Sequence, residues 1–161
     1  MNAVIENYNA ENYIEMETSL SIFKNKIEEL KNELKIENTK EYINESNVSE
    51  NIMKSYINCK KGEYYYYRGM LFLNAKNNIL EGEECLEKAD KYYELSIFEK
   101  NENSEIVNQY LYNVRAYINQ ILYKYNKNEN KQKAKENVKR AVRFSQKACE
   151  NYGNTRYSKD Y

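Results

Sequence analysis

The 161-residue chain has no proline, no histidine and no tryptophan, and only four glycines and three cysteines. Each shortage excludes something. Without proline, nothing forces a helix to stop or kink. With four glycines, few sharp turns are available. Without histidine the commonest general base and metal ligand is missing. The helical di-iron signature needs Glu-x-x-His and is therefore ruled out. The cysteines, Cys59, Cys85 and Cys149, are odd in number and widely spaced. No Cys-x-x-Cys pair occurs, so neither a zinc site nor a disulfide framework is indicated, and reduced, partly buried thiols are expected. Neither common phosphate-cradling glycine loop occurs. There is no run of about 18 apolar residues. The opening MNAVIENYNAEN has neither the basic flank nor the apolar run of a signal peptide. These absences point to a cytoplasmic, non-catalytic protein with no cofactor, no metal and no membrane partner.

Tyrosine and asparagine are abundant instead, with 18 and 25 copies. The excess of Asn, Lys, Ile and Glu is what an AT-rich genome encodes, so a single Asn or Lys carries little information. The length fits one domain, able to hide roughly 70% of its unfolded surface. Net charge is zero, but residues 1–50 hold 11 acids and 5 bases and residues 101–161 hold 6 acids and 12 bases. The two ends are thus oppositely charged and offer head-to-tail pairing between copies.

Helical periodicity dominates the pattern. The fold class expected is all-α: about five helices, over 11–37, 48–75, 79–99, 104–126 and 130–151, in antiparallel hairpins. The first carries the stripe Met16, Leu20, Phe23, Ile27, Leu30, Leu34, spaced alternately by four and three. Asn47 with Glu50, and Asn78 with Glu81, have the spacing of capping boxes. Ser104 is an N-cap candidate and Gly62 a candidate kink. Leu86, Ala89, Tyr93 and Ser96 form the inner stripe of the third helix. The fourth has two apolar rows, Ile106–Tyr110–Val114–Tyr117–Ile121 and Val107–Leu111–Ile118–Leu122. The fifth places Val138, Ala141, Ser145 and Ala148 inward, and residues 152–161 form a fraying tail.

The stretch KKGEYYYYRGMLFLNAK, residues 60–76, places four tyrosines in a row before Gly69. Successive helical residues point about 100° apart, so the four cannot share a face. Tyr65 is expected inward with Gly69 and Phe72, Tyr66 and Tyr67 toward a groove, and Tyr64 between. Gly69 in mid-helix costs about 1 kcal/mol against alanine, which calls for a packing reason: the close approach of another helix.

The second and fourth helices match at an offset of 45 (Tyr65 with Tyr110, Gly69 with Val114, Phe72 with Tyr117). The third and fifth match at 52 (Leu86 with Val138, Ala89 with Ala141, Tyr92 with Phe144, Ser96 with Ala148). A repeated long helix plus small-residue helix suggests stacked hairpins. Over residues 60–151 this resembles a tetratricopeptide repeat. Tyr65, Gly69 and Phe72 fit its first-helix aromatic–small–aromatic signature, and Ala89, Tyr93 and Ser96 its second. Tyr110, Tyr117, Ala141 and Ala148 fit in the next unit, while Val114 and Ser145 do not. The offsets exceed the family period of about 34, the closing proline is missing, and Arg68 stands where leucine is usual. The resemblance implies a groove that recognises a segment of another protein. It would be lined by Tyr66, Tyr67, Met70 and Asn74 in one unit and by Leu111, Tyr112, Arg115, Ile118 and Asn119 in the other.

A second constellation is basic. Lys131, Lys135, Lys139, Arg143 and Lys147 lie four apart, flanked by Lys124, Lys127, Lys133 and Arg140, and only Glu129 and Glu136 interrupt residues 124–147. Like charges at this spacing cost about 0.2–0.5 kcal/mol each, which an acidic protein, nucleic-acid phosphates or the acidic first half of the chain would offset. A third, Glu83-Glu84-Cys85-Leu86-Glu87, resembles the acidic motif of all-helical nucleotide pyrophosphohydrolases, where such acids hold Mg²⁺. The second acidic pair those enzymes need is absent from the fourth helix, so solvated carboxylates are expected.

Two function classes are consistent with these features. One is a non-catalytic protein-interaction module, an adaptor, regulator or small inhibitor, working through the Tyr/Asn-rich groove and the charged surface. The alternative is a nucleic-acid-binding protein, or an inhibitor of a nucleic-acid machine, working through the basic ridge.

Overall fold

The structure is a computed structural model. It describes residues 1–37, 46–97 and 104–157, with side chains described for 1–33, 51–97 and 107–150. Among these residues it is all helix and turn. Six helices follow in order: α1 Asn2–Asn9, α2 Tyr13–Glu37, α3 Ser46–Asn74, α4 Ile79–Leu95, α5 Ser104–Asn126 and α6 Lys131–Tyr157. The all-α class is as expected, with one helix more. Where the length suggests a single domain, the chain divides into two compact units, Met1–Ser96 and Ile97–Tyr161.

In the first unit, no periodicity announces α1. Eight residues are too few to hold a helix in water by themselves. What holds this one is burial: Val4, 1% exposed, packs with Met16, Leu20, Phe23 and Ile27 of α2. Asn7 Nδ2 also donates to Ser19 Oγ across the α1–α2 pair at 3.2 Å. The α2 stripe buries as its spacing requires from Met16 to Ile27. Leu30 is half-buried, and Leu34 lies outside the described side chains.

Helix α3 packs on both α2 and α4. One side sends Ile57, Tyr64 and Leu71 into the α2 core. Another side carries Gly62, Gly69 and Leu73 against α4. The α3–α4 pair is antiparallel: Ser55 Oγ donates to the Ser96 carbonyl at 2.6 Å at one end, and Leu73 meets Gly82 at the other.

Glycine sets the spacing of that pair. A Cβ on Gly69 would stand 3.1 Å from the Gly82 carbonyl oxygen and 3.0 Å from Leu86 Cγ. On Gly82 it would stand 2.6 Å from Leu73 Cδ2, and on Gly62 2.9 Å from the Tyr93 ring. The helix runs unbroken through Gly62, so that residue makes room for Tyr93 rather than marking a kink. Three of the chain's four glycines therefore serve one helix contact.

Helix α4 starts as its cap predicts, with the Glu81 amide donating to Asn78 Oδ1 at 3.2 Å. It stops at Leu95, short of the expected 99. Ser96 Oγ there donates back to the Tyr92 carbonyl at 2.8 Å. Leu86, Ala89, Tyr93 and Ser96 are all buried, as expected. The other caps proposed, Asn47 with Glu50 and Ser104, lie outside the described side chains.

The second unit is the antiparallel hairpin of α5 and α6. Asn130 caps α6, its Oδ1 accepting from the Lys133 amide at 3.0 Å. Two expectations need correction. Of the two apolar rows on α5, Leu111, Ile118 and Leu122 are buried, whereas Val107, Tyr110 and Tyr117 are about half exposed. A tyrosine ring tolerates that position because its hydroxyl stays wet, so counting tyrosine with the aliphatics made the inner arc too wide. On α6 the inner stripe is Ala134, Asn137, Ala141, Phe144 and Ala148. Val138 is 39% exposed and Ser145 is only half-buried. The helix also runs on to Tyr157, into the stretch expected to fray.

Candidate interaction surfaces

The four tyrosines do point four ways, but not in the order expected. Tyr64 is the buried one, and its hydroxyl accepts from Arg68 Nη1 at 2.8 Å. Tyr65 is half-buried and stacks on Tyr92 of α4, with ring centroids 5.4 Å apart and planes 6° from parallel. Tyr67 meets Tyr8 of α1 edge-on at 5.6 Å, and Tyr66 meets Tyr67 edge-on at 5.0 Å. The order changes because α3 has a neighbour on each side: α2 takes Tyr64 while α4 takes Tyr65.

Cations cover these rings. Lys61 lies 5.4 Å over Tyr92 and Lys88 5.9 Å over Tyr65. Arg68 and Lys76 lie 5.5 and 5.4 Å over Phe72. Burial raises the pKa of Tyr65 and, with Glu63 nearby, that of Tyr67. Burial also pushes the Cys59 thiol up to about 11 and raises that of Cys85. Both thiols stay protonated and unreactive at neutral pH. Cys149 is exposed.

Five of the residues expected to line a groove are buried within their own unit. In the first unit Tyr66 and Tyr67 are half-buried, Met70 is buried and Asn74 is exposed. In the second unit Tyr112 is half-buried, but Leu111, Arg115, Ile118 and Asn119 are buried. Arg115, 4% exposed, lies 4.0 Å over the Phe144 ring of α6. Asn119 Nδ2 donates to the Arg115 carbonyl at 2.9 Å. These positions face into the hairpin: the buried side of α5 carries Leu111, Arg115, Ile118, Asn119 and Leu122, while Tyr110 and Tyr117 are about half exposed.

That interior mixes apolar side chains with buried Asn108, Arg115, Asn119, Asn126 and Asn137. Tyr112 opposite Phe144 sets the register. Seven residues forward along α5 and seven back along α6 bring Asn119 level with Asn137. Asn119 Oδ1 and Asn137 Nδ2 are buried without a hydrogen-bond partner. One is an acceptor and the other a donor, so the two amides are complementary.

On α6, Lys131, Lys135, Lys139, Arg140 and Arg143 are exposed and Lys133 is half-buried; Lys124 at the end of α5 and Lys127 in the connection are also exposed. Lys147 lies 5.1 Å over the Tyr112 ring. Glu136 accepts from Gln132 Nε2 at 3.0 Å. A step of four residues drifts about 40° around a helix. The row of five therefore sweeps about 160° while rising about 24 Å. Lys131 and Lys135 end up beside Val138 and Val142, while Lys139, Arg143 and Lys147 turn away toward Tyr112.

The side with the valines is a groove of about 740 Å³ between α5 and α6. Tyr123, Val138, Ala141, Val142, Ser145 and Cys149 line it. Reading Val138 as core hid this surface; the signal available was the stripe Val138, Val142, Ser145, Cys149 at steps of four, three and four.

Glu84 and Glu87 are exposed and Glu83 half-buried on α4. Among the described residues no three His, Cys, Asp or Glu side chains gather as a metal site, and no helix is long and apolar enough to cross a membrane. Comparison of the chain with protein-family models, curated proteins and solved structures found no match.

Proposed function

We propose that the protein is a non-catalytic interaction module, an adaptor, regulator or small inhibitor, that holds an acidic helical segment of another protein against one flank of α6. The observation that supports this is the cluster of exposed Lys139, Arg140 and Arg143 beside Lys147 and the half-buried Tyr112 ring, with Glu136 as the acid among them. Carboxylates four residues apart on a partner helix repeat every 6 Å or so, the spacing of this row. Arginine adds bidentate pairing to carboxylate. The α3–α4 and α5–α6 hairpins read as elongated tetratricopeptide-like units, with Gly69, Ala89, Ser96, Ala141 and Ala148 as their small contact residues. The free thiols suit a cytoplasmic setting. The missing histidine favours recognition over catalysis.

The same cations would accept nucleic-acid phosphates. The oblique sweep argues against this, since it leaves only part of the row on any one side, and a chain of zero net charge exerts no long-range pull on a polyanion. The deciding experiment is a fluorescence-anisotropy titration of the full chain at about 20 and 150 mM salt. The probes are an acidic Glu/Leu helical peptide and a random-sequence RNA of similar length. The peptide should bind the more tightly, and Lys139→Glu with Arg143→Glu should weaken it more than about tenfold. Tighter RNA binding, or a peptide affinity unchanged in the variant, would remove this reading.

A further inference from the structure

Tyrosine rings in the first unit meet in two different ways. Tyr8 with Tyr67, Tyr64 with Tyr65, and Tyr66 with Tyr67 meet edge-on, with 71°, 74° and 81° between ring planes. Tyr65 of α3 and Tyr92 of α4 meet face to face, with planes 6° from parallel and centroids 5.4 Å apart. Both rings are half-buried, so a small molecule in solution can reach them. Each is held by a lysine of the opposite helix: Lys61 of α3 lies over Tyr92, and Lys88 of α4 over Tyr65. These crossed cation–ring contacts favour the stacked arrangement.

That orientation decides what one-electron oxidation can do. A phenol that loses an electron gives up its hydroxyl proton and becomes a neutral tyrosyl radical. The unpaired electron is spread over the oxygen and the ortho and para carbons, in lobes perpendicular to the ring. The para carbon already carries Cβ, so two tyrosyl radicals couple through ortho carbons. Parallel rings aim these lobes at each other. An edge-on pair aims the C–H bonds of one ring at the face of the other, and the lobes do not meet. The face-to-face pair is therefore pre-organised for coupling, and the edge-on pairs are not.

We propose that Tyr65 and Tyr92 form a dityrosine site, where a diffusible one-electron oxidant joins α3 to α4 by a carbon–carbon bond and stabilises the hairpin. Two equivalents of oxidant each accept one electron, and the two hydroxyl protons go to water. One bond forms between ortho carbons. The hydrogens on those carbons then move as protons to the phenol oxygens, and both rings become aromatic again. The chain loses two hydrogens in all. The link closes the segment from Tyr65 to Tyr92 and restricts the unfolded chain as a disulfide would, but no thiol reverses it. It uses none of the α6 cations, so it stands or falls separately from the proposed function.

The test is photo-oxidation of the full chain, at low micromolar concentration, with tris(bipyridine)ruthenium and persulfate. Persulfate takes an electron from the excited ruthenium(II), and the resulting ruthenium(III) is the one-electron oxidant. Tandem mass spectrometry of a digest of the monomer should find Tyr65 joined to Tyr92 as the main internal cross-link. The cross-linked monomer should show dityrosine fluorescence and melt several degrees higher than the parent. Tyr65→Phe and Tyr92→Phe keep a ring at each place and should each abolish the link, with the circular dichroism of the parent. Tyr8→Phe and Tyr66→Phe should leave its yield unchanged. In concentrated urea the yield should fall several-fold. A main link at Tyr8–Tyr67 or Tyr66–Tyr67, a Tyr65–Tyr92 yield as high in urea as in buffer, or a cross-linked chain that melts no higher than the parent would each overturn the proposal.

Discussion

The α3–α4 and α5–α6 pairs are both antiparallel helical hairpins, packed by different chemistry. In α3–α4 the backbones approach through Gly69 and Gly82, and the cations of the Tyr65 face lie on the rings of the same hairpin. In α5–α6 there is no glycine between Ser104 and Glu150. Leu111, Ile118, Leu122, Phe144, alanines and buried amides fill that interface, and Lys131, Lys135, Lys139 and Arg143 are exposed. Cations lie on rings in both hairpins, with Arg115 over Phe144 and Lys147 over Tyr112 in the second; the contrast is that α6 carries a further row of exposed cations, which the proposed reading assigns to an acidic partner.

The strongest way to break this comparison is to fill the glycine contact. Gly69→Leu has to displace Leu86 and the Gly82 carbonyl, and should cost on the order of 3 kcal/mol by urea denaturation. Gly82→Ala should cost about 1–3 kcal/mol, although alanine is the better helix former by about 1 kcal/mol. A variant as stable as the parent would show that the two helices can part freely.

The polar interface of α5–α6 predicts a different pattern. Asn119→Leu or Asn137→Leu alone should cost about 1–2 kcal/mol, because each leaves the other amide buried opposite a hydrocarbon. Together they should cost clearly less than the sum of the two, as measured by a double-mutant cycle. Additivity would mean that the two amides do not sense each other.

A smaller effect belongs to pH. The Cys59 thiol rises from the ordinary 9.0 to about 11, chiefly through burial. Below pH 9 it is protonated in both folded and unfolded chains, and its contribution is complete. Between pH 9 and 11 the unfolded chain loses the proton while the folded chain keeps it, so stability falls as pH rises. Melting temperature should decline across that window, and Cys59→Ser should flatten the decline. At neutral pH a thiol reagent should modify Cys149 first.

The helices were largely legible in the residues: the α2 stripe and the Asn78 cap need no structure to be seen. So was the role of Gly69, because an unforced glycine in mid-helix asks for a close neighbour. Three things were hidden. Helix α1 depends on Val4 being buried by α2, a tertiary effect with no local periodicity. The order of the tyrosines depends on α3 having neighbours on two sides, and a single helical wheel shows neither. The inward turn of Arg115 and Asn119 breaks the rule that polar residues face water; Phe144 and the Arg115 carbonyl receive them. The valine groove was missed for the reverse reason, since apolar residues were assigned to the core by type.

Removing the same number of cations from each hairpin tests the central claim most directly. Lys61→Ala with Lys88→Ala should destabilise the fold by roughly 0.5–1 kcal/mol for each cation–ring pair removed, and leave binding of an acidic helical peptide intact. Lys139→Ala with Arg143→Ala should be as stable as the parent and fail to bind that peptide. If the two double variants behave alike, or exchange these results, the division between a self-contained hairpin and an outward-facing one is wrong.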